Sequence, residues 1–87
     1  MYYYVYVLLS EKDDQFYTRY TSDLKNRLHL HIEGKVKSTM YRLPIKLIYF
    51  EGCLHQQDAT RREKYLKSGS GKIYLKKRLG HFLNPTG

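Results

Sequence analysis

Residues 2–9 read Tyr-Tyr-Tyr-Val-Tyr-Val-Leu-Leu, a run of aromatic and aliphatic side chains with no charge, glycine or proline. Tyrosine and valine fit a pleated, half-buried surface, so the segment reads as a strand buried on at least one face. A strand of this kind has to be paired and covered. Glu11-Lys12-Asp13-Asp14-Gln15 is a polar turn, and Phe16 to Tyr20 then reads as a second strand, antiparallel to the first. The chain has 87 residues, which bounds it to one domain near the lower size at which a core alone suffices. Cys53 is the one cysteine, so no intramolecular disulfide can staple the fold.

Helical patterning follows the hairpin. Thr21 or Ser22 can cap a helix, with Asp23 in its first turn, and Leu24, Leu28 and Ile32 define an apolar stripe that ends at Gly34. Lys35 to Pro44 reads as a basic loop with few apolar anchors, and Ile45 to Glu51 as a third strand. A second helix is predicted from about Gln56 to Ser68, stopping at Gly69. Ser70 can cap a short third helix ending near Leu79 or Gly80. The order is β-β-α-β-α-α, an α+β chain with a small, mainly antiparallel three-stranded sheet flanked by helices. One domain is expected over residues 1–80, with residues 81–87 a loose tail.

The net charge is +8, and between Arg61 and Arg78 eight Lys/Arg accompany a single acid, Glu63. That balance favours an anionic partner, nucleic acid first, although a basic helix face is also a common solvated surface. No apolar run approaches the roughly 18 residues of a membrane span, so no membrane partner is expected. The N-terminal run lacks a basic flank and a small-residue cleavage site and reads as strand, not signal peptide. The lone cysteine fits a reducing compartment, and a cytoplasmic location is expected. Cys53 and His55 are too few for a zinc site. Gly69-Ser70-Gly71-Lys72 lacks a phosphate loop's full spacing and preceding strand, and reads as a turn between helices.

Five residues carry candidate chemistry. Tyr6 and Tyr17 lie on the two hairpin strands and share a side if the register allows. A tyrosine titrates near 10, so a base role needs a nearby cation or metal. Arg27 and His31 are four apart on the first helix and share a face at the edge of its apolar stripe. From the helix alone the solvated-pair reading is the stronger one. Glu63 falls on the inward stripe marked by Ala59 and Leu66, where an unpaired carboxylate is costly. It is either a buried salt-bridge partner, with Arg27 the nearest candidate, or a ligand for a divalent metal. Arg19, Lys35, Lys37, Arg42, Arg61, Arg62, Lys67 and Lys72 are candidates for DNA phosphate contacts, which position a duplex but read no sequence.

The chain resembles the GIY-YIG nuclease superfamily, in particular its small stand-alone members, over roughly residues 2–79. Tyr4-Val5-Tyr6 occupies the GIY position and Tyr17-Thr18-Arg19 the YIG position; Tyr20 to Leu28 and Arg62 to Gly69 resemble the segments that follow. The resemblance implies a metal-dependent endonuclease acting on DNA, with structured or branched DNA and repair or recombination as the expected setting. It implies Tyr6, Tyr17, Arg27, His31 and Glu63 as the site. Tyr6 would take the proton from water and Tyr17 would position, or the two would exchange these roles; Arg27 would hold phosphate, and Glu63 would ligate one Mg²⁺ or Mn²⁺. One position departs: Arg19 stands where the motif has glycine. It either obstructs the metal or water, leaving an impaired nucleic-acid-binding module, or supplies a phosphate contact.

Overall fold

The computed structural model describes residues 1–86. Its elements are β1 (Tyr3–Ser10), β2 (Phe16–Thr21), α1 (Leu24–Ile32), β3 (Ile45–Cys53), α2 (Gln56–Lys67), α3 (Gly69–Arg78) and α4 (Gly80–Leu83). The strands form one antiparallel sheet in the order β2-β1-β3. The uncharged first strand takes the centre because it alone can be buried on both faces. Val5 and Val7 pack with Ala59 and Leu66 of α2 and Leu75 of α3, while Tyr6 and Leu8 pack with Leu24 and Leu28 of α1. The sheet is therefore the middle of three layers, with α1 on one face and α2 and α3 on the other. The three-stranded α+β arrangement predicted from the pattern is the one observed.

Helix geometry moves one predicted core position. Ile32 is 54% exposed, while His31 is buried at 1%. At about 100° per residue, the position seven after Leu24 stays within about 20° of it, whereas the position eight after has turned about 80° away. The inward seam is Leu24, Leu28 and His31, so the histidine lies inside the stripe and not at its edge. The cap also shifts: the Asp23 carboxylate accepts from the Asn26 N–H at 3.2 Å, and Thr21 Oγ1 accepts from the Asp23 N–H at 3.1 Å.

Ser68, not Ser70, caps α3: its hydroxyl oxygen accepts from the Gly71 N–H at 3.1 Å. Only this residue separates α2 from α3. At Gly71 a Cβ would lie 2.0 Å from the Tyr65 carbonyl oxygen, so only glycine lets the two backbones approach this closely. Between β3 and the two helices lies a polar clamp. Glu51 accepts from Arg62 Nε and, at 2.6 Å, from the Tyr49 hydroxyl, and the Arg62 guanidinium lies against the rings of Tyr65 and Tyr74. The predicted tail begins later than expected, because residues 81–83 belong to α4; Gly87 lies outside the described residues.

Candidate active site

The site is built on the face of β1 that α1 covers. Alternation along the strand puts Tyr6 on that face, where it is buried at 0%. Its hydroxyl lies 3.0 Å from His31 Nε2, with the two rings edge to face at 5.8 Å between centroids. His31 Nδ1 lies 2.8 Å from the Thr39 hydroxyl, itself buried at 1%. The three groups form an unbroken hydrogen-bonded path from the central strand, through α1, to the loop before β3. No buried side-chain nitrogen or oxygen among the described residues lacks a partner.

Burial and positive charge set the protonation of this path. His31 is pushed down to about 4, first by burial and then by the Arg27 and Arg19 guanidiniums, so it is neutral at pH 7. Tyr6 is raised above its usual value, mainly by burial and slightly by the Glu63 charge. The Arg27 guanidinium, and after it the Arg19 charge, oppose that rise. The register places Arg19 directly opposite Tyr6 on the same face of the sheet. Neither guanidinium has a carboxylate within ion-pair distance among the described residues. Both charges are left for an anion.

The cleft beside this pair opens at the free edge of β2 and has a volume of about 280 Å³. Tyr17, Thr18 and Arg19 form its wall, His31, Ser38 and Thr39 close one side, and Leu66, Lys67 and Lys72 the other. Both helical layers meet here because the sheet ends here. Tyr17 shares the face of Tyr6, as expected, but its hydroxyl donates to Asp13 at 3.3 Å instead of to another site residue. Glu63 keeps the inward stripe predicted from Ala59 and Leu66, and its side chain is 16% exposed. Its partner is Lys67 at 2.7 Å, so the ion pair it makes runs along α2 and not to Arg27, the partner the alternative reading offered.

Among the described residues no group of three or more His, Cys, Asp or Glu could hold a metal ion. Glu63, whose charge reaches Tyr6, therefore offers at most one carboxylate of a ligand set. That fits a divalent ion taking its remaining ligands from water and phosphate, and it does not fit a protein-enclosed metal.

The predicted phosphate contacts divide into two groups. Arg19, Lys67 and Lys72 converge on the cleft. Lys35 and Lys37 are exposed on the loop after α1, Lys35 pairing with Glu33 at 3.3 Å. Arg42 pairs with Asp13 at 3.3 Å and Arg61 with Asp58 at 2.7 Å. Arg62 departs from expectation most: it is half-buried in the Glu51 clamp and serves packing. The residue that sequence reasoning missed is Thr39. A single hydroxyl residue in an irregular loop has no periodicity to mark it.

Comparison with known proteins follows the same outline. The GIY-YIG catalytic domain family matches residues 2–79. A UPF0213 protein of Streptococcus agalactiae is 46% identical over 73 residues, covering 83% of this chain and 82% of that protein. One from Streptococcus pyogenes is 53% identical over 65 residues, covering 74% and 70%. The solution NMR structure of a UPF0213 protein from Bacillus halodurans is 34% identical and superposes with a TM-score of 0.58, covering 99% of this chain and 95% of that one.

Proposed function

The chain belongs to the GIY-YIG catalytic domain family, and from that premise we propose that it is a metal-dependent endonuclease that hydrolyses phosphodiester bonds in DNA. The observation that carries the reading is the buried Tyr6–His31 hydrogen bond flanked by two guanidiniums without carboxylate partners. Arg27 binds the non-bridging oxygens of the scissile phosphate. Water attacks phosphorus. As its oxygen bonds to phosphorus, its proton passes to the Tyr6 oxygen, and the Tyr6 proton passes to His31 Nε2. The bond to the leaving sugar oxygen breaks, and that oxygen takes a proton from solvent. Neutral His31 is ready to accept because burial keeps it unprotonated. When bound, Mg²⁺ or Mn²⁺ on Glu63 supplies positive charge for the developing negative charge on phosphate. Lys67 and Lys72 position the strand in the cleft, and structured or branched DNA is the proposed substrate class.

Incubation with supercoiled, branched and single-stranded DNA tests this, with Mg²⁺, with Mn²⁺ and with chelator. Cleavage that requires the ion is expected; no cleavage of any substrate under any condition contradicts it.

One observation favours a second reading, an impaired module that binds nucleic acid without cutting it. Tyr6 has no exposed surface, and Arg19 stands opposite it where the family motif has glycine. Under this reading Arg19→Gly raises metal-dependent cleavage by opening the approach to Tyr6. Unchanged or reduced cleavage makes Arg19 a tolerated or useful phosphate contact.

A further inference from the structure

The hydrogen-bonded path does not end at the histidine. We propose that Thr39 is a positioning residue: its hydroxyl accepts the Nδ1 proton of His31 and so keeps the Nε2 lone pair on the Tyr6 hydroxyl. The assignment follows from the two hydroxyls that flank the imidazole. A phenol is more acidic than an alkyl alcohol, so Tyr6 is the stronger donor and Thr39 the better acceptor. The buried Tyr6 hydrogen therefore needs an acceptor. Among the described residues the acceptor within reach is His31 Nε2, at 3.0 Å. Nε2 must therefore be unprotonated. A neutral imidazole carries one proton, so it sits on Nδ1, and Thr39 Oγ1 at 2.8 Å receives it.

Thr39 is well placed for this. Its backbone is held independently of its hydroxyl, by a bond from its N–H to the Val36 carbonyl at 3.1 Å and one from the Arg42 N–H to its own carbonyl at 2.9 Å. The side chain is thus free to serve the histidine. Without the hydroxyl, the Nδ1–H would be buried and unpaired. That costs more than leaving a lone pair unpaired, so the proton is driven toward Nε2. Tyr6 then loses its acceptor. The kinetic part of this inference rests on the nuclease reading; the tautomer does not.

The test is nitrogen-15 NMR of the full chain at neutral pH, without DNA or metal, on the wild type, Thr39→Val and Thr39→Ser. Valine keeps the shape and removes the hydroxyl; serine keeps the hydroxyl. The wild type should carry the His31 proton on Nδ1. Thr39→Val should move the tautomer ratio toward Nε2–H by about fivefold or more, the factor for one unpaired buried donor, and Thr39→Ser should restore it. A wild-type proton on Nε2, or an unchanged ratio in Thr39→Val, overturns the proposal whether or not the protein cuts DNA. Where cleavage is measurable, Thr39→Val should lower kcat at constant KM and Thr39→Ser should recover it; a change confined to KM overturns the positioning role.

Discussion

At the scale of single residues, His31 ties stability to pH. Its ordinary value near 6.5 falls to about 4 in the fold, so the unfolded chain takes up the proton first. The stability that neutral His31 contributes is fully present above pH 6.5 and is lost as pH falls toward 4, amounting to roughly 3 kcal/mol there. Urea unfolding between pH 7 and 4.5 should therefore show a steeper loss for the wild type than for His31→Gln; parallel curves would remove His31 as the cause. Arg27 gives a different signature. It is half-buried and joins no ion pair among the described residues, so its charge is available to a phosphate. Arg27→Ala should cost more than ~10²-fold in cleavage rate with little change in melting temperature. A large fall in melting temperature would make it a structural residue.

At the scale of elements, the same kind of side chain does different work depending on which face carries it. Arg62 sits one position before Glu63 yet points to the other flank of α2, into the Glu51 and Tyr74 clamp. Arg62→Ala should destabilise the fold by about 1–3 kcal/mol, because Glu51 loses its charged partner and the Tyr65 and Tyr74 rings lose the guanidinium against them, while leaving DNA affinity nearly unchanged. Lys72→Ala should do the reverse. Gly71→Ala should cost about 1–3 kcal/mol in urea unfolding, since a methyl group cannot fit against the Tyr65 carbonyl. The hairpin and the Ala59–Glu63–Leu66 stripe were legible because period and composition agree there. Ile32 and His31 were not, because a nine-residue helix offers too few turns to separate neighbouring stripes. Ser68 lost to Ser70 for a related reason: either hydroxyl can cap, and the close contact at Gly71 decides. Thr39 and the fate of each lysine depend on contacts between distant segments, which local pattern does not carry.

At the scale of the whole molecule, a net charge of +8 acts on a small surface. Three of its cations, Arg19, Lys67 and Lys72, meet in the cleft that His31 also lines. Binding of DNA through such a surface releases counterions, so affinity should fall steeply between 50 and 200 mM salt and vary little with sequence. Fluorescence anisotropy at several salt concentrations checks this, and salt-insensitive binding would contradict it. The cleft and the tyrosine–histidine pair gain a catalytic meaning only if one carboxylate brings metal to them. The direct measurement is therefore cleavage and DNA binding by wild type and Glu63→Gln, side by side, with and without Mg²⁺ or Mn²⁺. The account predicts that Glu63→Gln binds DNA nearly as the wild type does but cuts none of it, with the metal requirement of the wild type intact. A Glu63→Gln protein that cuts at the wild-type rate would make Glu63 only the partner of Lys67, and the metal-dependent centre would not exist at this site.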